Sequence, residues 1–308
     1  MKRVILQGML ALAFLVGTMT IGIPGHIAHA ASMKPTKPNA NYSIAGPAGV
    51  TCLGVSWYAY VGLQNELEIT QFNVTVPQFA SFADTSPATP AVACFHNRIY
   101  FAWLANDPSD SIWVGWWTPS ICSGNCTLQG RTTIPGQSTI YAPALGVNNG
   151  GLYAIWRGRN NTHLYTEISV NGTYWYGQTP MADTAVAGPA AISYQGLLWI
   201  AWPGTDSGNH IWFGSYNGSS TLDNHHYIPN QADFLQVGLS VYNNRLQFAW
   251  RGFTNYNIYT ESYEPPSSFV PNGALSGASS YFNPGLDGKY CYFTGTDQTV
   301  YEHDVYPY

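Results

Sequence analysis

Six copies of one pattern constrain this chain more than any other feature. In the clearest copy, Pro143 to Gly158, Trp156 stands 13 residues after the proline and Gly158 stands 15 after it. Pro90 leads in the same way to Trp103, with Ala105 in the glycine's place. Pro189 leads to Trp202 and Gly204, and Pro47 to Tyr60 and Gly62. Val237 replaces the proline ahead of Trp250 and Gly252, and a shortened copy runs from Pro284 to Phe293 and Gly295. The aromatic anchors are 43, 53, 46, 48 and 43 residues apart. A recurring period of this length is the mark of a repeat architecture.

Each unit reads as four short strands. A first strand such as Ala91 to Phe95 ends in an Asn- or Gly-bearing turn (Asn97, Asn148 to Gly150, Gly196, Asn243 and Asn244) whose residues tolerate positive φ. The second strand, for example Ile99 to Trp103, is apolar on both faces, which predicts burial between neighbouring sheets. Third strands follow at Ile112-Trp113, Leu164-Tyr165, Ile211-Trp212, Ile258-Tyr259 and Val300-Tyr301, and the fourth strand is the most variable. No long stretch has a 3.6-residue period, so no helix is expected after the N-terminal leader. Six units of four strands predict an all-β, six-bladed β-propeller over residues 41–308. The last unit stops after its third strand, and the segment around Tyr42 to Ile44 is expected to supply the fourth. Closing the ring in this way removes an open sheet edge.

The first thirty residues read differently. Lys2 and Arg3 precede an apolar run from Val4 to about Ile23, and Ala28-His29-Ala30 is an A-x-A cleavage site. Residues 1–30 are expected to be a secretory signal peptide, and 31–40 a mobile Lys- and Pro-bearing spacer. No later segment approaches the ~20 apolar residues of a membrane helix, so a secreted protein without a membrane partner is expected. Removing Lys2 and Arg3 leaves nine of the 11 basic residues against 16 acidic ones. That balance argues against a nucleic-acid partner, which needs a basic face. Charged residues make up only 9% of the chain and aromatics 15%. A surface so rich in amides, hydroxyls and aromatic faces suits neutral ligands such as glycans.

Five cysteines remain in the mature part. Cys122 and Cys126 bracket a loop-like Ser-Gly-Asn and are expected to form a local disulfide; the pairing of Cys52, Cys94 and Cys291 is left open. No second CxxC and no His pair has metal-ligand spacing, and no phosphate loop occurs. No metal or cofactor is therefore expected. Carboxylates are scattered, with no recurring pair of the kind a glycoside hydrolase needs. Asp107-Pro-Ser-Asp110 reads as a turn, and His225-His226 as a surface pair.

One polar constellation does recur. Arg157 follows Trp156 and Glu167 comes ten residues later, in Leu164-Tyr-Thr-Glu167; Arg251 and Glu261 repeat this in Ile258-Tyr-Thr-Glu261. Units two and four carry Leu104 and Pro203 in the Arg column, and Gly115 and Gly214 in the Glu column. Such a pair on adjacent strands is either an exposed ion pair, worth ~0–1 kcal/mol, or a fork and acceptor for sugar hydroxyls. The tryptophan column from Trp103 to Trp250 reads as core between blades.

The "A-W-x-G" text on the second strand, with Gly204-Thr-Asp206…Ile211-Trp212 and Gly295-Thr-Asp297…Val300-Tyr301, resembles the bacterial and fungal fucose-specific lectin family. The resemblance spans nearly the whole mature chain through short motifs. It implies a six- or seven-bladed propeller with sugars bound between adjacent blades, where an Arg and a Glu bond the hydroxyls and a Trp or Tyr packs on the apolar face. Position by position, it implies Arg157 with Glu167 and Arg251 with Glu261, and Trp175 or Tyr263 as the nearby aromatic. Here the Arg follows the repeat aromatic, and four of the six units lack the pair. Gly204 to Gly208 also resembles the sialidase Asp box, with different spacing, and reads as a blade hairpin. The expectation is a secreted, non-catalytic, carbohydrate-binding propeller with repeated shallow sites between blades. The alternatives are a sialidase-like glycoside hydrolase with one axial site, and a protein-interaction propeller.

Overall fold

The chain's first hairpins form where its turn residues permit a left-handed backbone. Paired positive φ values occur at Leu53-Gly54, His96-Asn97, Asn149-Gly150, Gln195-Gly196 and Asn243-Asn244. Two consecutive residues in that region make the tight turn that matches the twist of the flanking strands. The computed structural model describes Lys34, Pro35 and residues 42–305 apart from 72, 73, 75, 76 and 267. The expected signal peptide lies outside these residues.

Six antiparallel sheets follow in chain order and form a six-bladed β-propeller. Blade 3 is representative: Ala144–Asn148, Gly151–Arg157, His163–Ser169 and Tyr176–Thr184 pair in sequence from the axis outward. Blade 2 starts at Ala91–Phe95, blade 4 at Ala190–Tyr194 and blade 5 at Gly238–Tyr242. Blade 6 has three strands of its own, Gly285–Asp287, Tyr290–Thr294 and Val300–Asp304. The N-terminal segment completes it as expected, through a bridge from Tyr42 to Thr299 and a short strand at Lys34–Pro35 paired with Tyr301 and Glu302. That strand falls in the stretch read as a mobile spacer, so the closure begins earlier than the sequence suggested. Blade 1 departs from the expected four strands. Gly124–Cys126, from a loop of blade 2, adds a fifth strand parallel to Phe79–Thr85.

The core lies between blades. The anchors Tyr60, Trp103, Trp156, Trp202, Trp250 and Phe293 are all 2% exposed or less. Burying side chains of this size contributes about 2–3 kcal/mol each. Each anchor faces a second residue in register on the third strand, and in four blades the two rings stack: Trp103 on Trp113, Trp156 on Tyr165, Trp250 on Tyr259 and Phe293 on Tyr301, with centroids 5.6–6.3 Å apart. The repeat glycine exists for this outer ring. A Cβ at Gly158 would lie 2.8 Å from Tyr165, and one at Gly295 would lie 2.5 Å from Tyr301.

Two disulfides form. Cys122–Cys126 is the local bridge expected, and Cys52–Cys94 ties the innermost strands of blades 1 and 2 together. Cys291 is buried and free, and burial pushes its thiol pKa up. The connectors between blades share a device as well. Ser43, Ser86, Thr139 and Ser280, four residues before each proline, accept a hydrogen bond from the N–H two residues on, at 2.9–3.2 Å. Asp233 takes that place between blades 4 and 5, accepting from Phe234 and Leu235, and burial pushes its carboxyl up to about 7.

Candidate functional site

The recurring Arg and Glu do not meet. Arg157 is paired with Leu164, whereas Glu167 is paired with Ala154, three residues earlier on the same strand. Side chains alternate across a strand, so an odd offset puts the two on opposite faces of the sheet. Arg251, paired with Ile258, and Glu261, paired with Phe248, repeat this separation. The Arg157 Nε donates to the Ala185 carbonyl at 2.7 Å, and the guanidinium lies 4.3 Å over Tyr141. Arg251 lies over Tyr256 at 5.8 Å and donates to the Tyr281 carbonyl. Both glutamates are buried, which raises their carboxyl pKa, that of Glu261 to about 7. The two aromatics assigned with them also point inward. Trp175 belongs to the core between blades 2 and 3, and Tyr263 to the core between blades 4 and 5. A tryptophan or tyrosine on the fourth or third strand of a blade buries more area against the neighbouring sheet than it could at the rim, and here both do.

The structure instead assembles two equivalent clefts at the seams between blades. At the seam of blades 1 and 2, Asp84, Trp103, Trp113 and Arg131 surround a cavity of about 190 Å3. At the seam of blades 3 and 4, Asp183, Trp202, Trp212 and His225 surround one of about 290 Å3. The two aspartates hold the same place. Each sits in an Ala-Asp-Thr tripeptide ending the preceding blade, and the threonine pairs with the start of a third strand, Thr85 with Glu66 and Thr184 with His163. Arg131 and His225 also correspond, both standing on the fourth strand opposite a glycine, Gly115 or Gly214.

In each cleft the carboxylate bridges the seam to a basic side chain. The Arg131 guanidinium is 2.6 Å from Asp84, and the His225 Nε2 is 2.9 Å from Asp183. In each, too, the basic side chain lies on an indole. Arg131 is 5.2 Å from the Trp113 centroid, and the His225 ring stacks on Trp212 at 4.8 Å and on Trp202 at 5.7 Å. Burial raises the Asp84 carboxyl, and the Arg131 charge opposes that rise. The corresponding positions between blades 2 and 3 hold an uncharged bridge, the Gln178 amide donating to Gln137 at 2.7 Å.

The Gly-Thr-Asp motif orients the outer ring of the cleft. Asp206 accepts from the Trp212 Nε1 at 2.7 Å, from the Gly208 N–H at 2.9 Å and from the His210 imidazole at 2.7 Å. Burial alone would raise this carboxyl, but those hydrogen bonds outweigh it and hold it below its ordinary value. Asp297 does the same for the Tyr301 hydroxyl at 2.7 Å, and the Asn161 and Asn255 amides donate to Tyr165 and Tyr259. The motif is thus a blade hairpin, as expected, and the structure adds that it fixes an aromatic side chain.

The axial channel has a different character. Its wide part, about 300 Å3, is lined mostly by Val, Leu, Ile, Ala and Gly, and Asp287 is the one carboxylate among the described lining residues. The Thr51 hydroxyl donates to Asp287 at 2.7 Å. At the proline end Gln236 reaches the Pro143 and Pro189 carbonyls, while Asn283 contacts Gln236 and Thr89.

The six residues assigned from sequence therefore lie off the clefts, and the cleft residues were passed over. One signal was present, the repeated Ala-Asp-Thr at 83–85 and 182–184, each ending five residues before a repeat proline.

No family model and no curated protein matches the chain. Solved structures do. SapL1 lectin, in complex with α-methyl fucoside, is 11% identical with a TM-score of 0.61 over 86% of this chain and 94% of that one. AofleA from Arthrobotrys oligospora is 8% identical with a TM-score of 0.60 over 89% and 88%. Trypanosoma rangeli sialidase is 12% identical with a TM-score of 0.54 over 89% of this chain and 58% of the enzyme. At such identities the likeness is one of fold, that of a β-propeller.

Proposed function

We propose that this protein is a secreted, non-catalytic carbohydrate-binding propeller that holds sugars in the two seam clefts. The observation that carries the reading is the recurrence of one constellation, an Asp, an Arg or His and a tryptophan pair, at the same place in two seams. An indole offers its face to the apolar side of a pyranose. The carboxylate accepts from sugar hydroxyls, and the guanidinium or imidazole donates to them. Clefts this small suit one or two sugar rings, and two of them on one ring of blades gain strength on a multivalent surface. The propeller lectin SapL1, solved with α-methyl fucoside, supports the ligand class.

The second reading, a glycoside hydrolase, draws support from the sialidase among the similar structures. Most glycoside hydrolases need two carboxyl groups about 5–10 Å apart across a sugar, and sialidases use a tyrosine nucleophile. The described residues lining the wide part of the axial channel include neither a carboxyl pair nor a tyrosine. The single carboxylate Asp287 on the described axial wall favours binding over catalysis.

A glycan array tests the proposal. Wild type should bind, and the Trp113→Ala/Trp212→Ala variant should lose at least tenfold in signal while its thermal unfolding stays cooperative. An array with no positive glycan would refute the reading. Release of 4-nitrophenol from aryl glycosides would move it to the hydrolase.

A further inference from the structure

Trp175 is buried, but its two neighbours are not. In the Tyr174-Trp175-Tyr176 triplet the chain alternates out, in, out: Tyr174 is 69% exposed, Trp175 4% and Tyr176 41%. The two tyrosine rings stack 5.9 Å apart at an interplanar angle of 27°. The turn carrying them is held in place. Asn171 Oδ1 accepts from the Thr173 and Tyr174 N–H groups at 3.0 and 2.9 Å, and the Gly172 N–H donates to the Ser169 hydroxyl at 2.8 Å. Gly172 has φ +78°, and a Cβ there would strike the Tyr100 ring of blade 2 at 2.3 Å, so only glycine fits.

The aromatic surface continues across the seam to blade 4. Tyr176 is in register with Ile168 and Ile168 with Tyr153, which puts all three on one face of blade 3. Tyr153 then meets Tyr216 of blade 4, edge to face at 6.1 Å. Tyr216 stands four residues from Trp212 on the same strand, about 13 Å along it. The belt Tyr174, Tyr176, Tyr153 and Tyr216 is therefore at the opposite end of the seam from the cleft.

We propose that this belt is a second glycan surface, a binding face for a neutral polysaccharide chain and not a pocket for one sugar. Tyr174 and Tyr176 form a stacked pair of phenols at its exposed end, and the half-buried Tyr153 and Tyr216 extend the line across the seam, so an extended chain of sugar rings can meet more than one of them. Their hydroxyl rims hydrogen-bond without carrying charge, which suits a neutral polymer better than an acidic or basic one. A hydrogen-bonded turn presents the outermost ring already ordered, which lowers the entropy cost of binding. An exposed pair of tyrosines, Tyr174 and Tyr176, has a cost in solubility that a binding role accounts for. The proposal rests on the carbohydrate reading for its ligand class, and on none of the cleft residues.

The test is co-sedimentation with microcrystalline cellulose, chitin and insoluble mannan. Wild type should sediment with at least one, and Tyr174→Ala/Tyr176→Ala should lose at least fivefold in bound fraction. The same variant should keep its melting temperature and its glycan-array signal. Wild type remaining in the supernatant with all three polymers, or the double variant sedimenting like wild type, would overturn the proposal. Failure of the cleft reading would show separately, as a blank array beside intact sedimentation.

Discussion

Blades 2 and 4 differ from blades 3 and 5 along the third strand, most sharply where a glycine stands in place of a glutamate, and the seams they form differ with it. Blades 2 and 4 have Gly115 and Gly214 there, and the fourth strand crosses so closely that a Cβ at 214 would lie 3.0 Å from the Leu222 Cβ. Above these glycines stand Arg131 and His225, reaching an aspartate of the preceding blade. Blades 3 and 5 have Glu167 and Glu261 there, buried and with raised carboxyl pKa values. The repeat thus carries a polar cleft where this position is glycine and a buried carboxyl where it is glutamate. The buried tryptophan anchor and the left-handed hairpin turn are common to all four blades.

Moving the glutamate between classes should give the largest effect. Gly214→Glu puts both a Cβ and a buried carboxyl where the fourth strand already packs, and should cost about 3 kcal/mol or more. Urea unfolding would measure it; a loss below about 1 kcal/mol would mean the glycine is not what shapes the seam. The reverse direction is set by linkage. The folded-state pKa of Glu261, about 7, lies above its ordinary 4.5, so the folded protein holds this proton more tightly than the unfolded chain. Its contribution is fullest in acid and is lost as pH rises from about 4.5 to about 7. Glu261→Gln should therefore match wild type near pH 4.5 and exceed it above pH 7 by up to about 3 kcal/mol. Equal pH profiles for the two proteins would contradict this. The smallest change is to the orientation of the cleft's indole. Asp206→Ala should cost about 1 kcal/mol of stability. It should also weaken glycan binding at the seam of blades 3 and 4 without touching that of blades 1 and 2, a split that single-cleft variants on the array would reveal.

The polar pairing was the weakest part of the sequence reading, and the register explains why. Ten residues between Arg157 and Glu167 bring them to adjacent strands, but the hairpin's length fixes an odd offset and sends them to opposite faces. The triplet at 174–176 was read from its central tryptophan, while the fold exposes the tyrosines on either side. Asp84 and Arg131 are 47 residues apart in the chain, and no local pattern connects them. Their repeat in blades 3 and 4 was the only trace, and it replaces Arg with His.

The period, the hairpin residues, the doubly apolar second strands and the short last unit are local properties. They determined a six-bladed ring, its buried tryptophan column and the joining of its ends, because backbone conformation and burial pattern are written in neighbouring residues. The clefts, the Cys52–Cys94 bridge and the fifth strand of blade 1 depend on contacts between different blades. Only packing one sheet against the next decides those, since it sets which face each side chain takes and what it meets there.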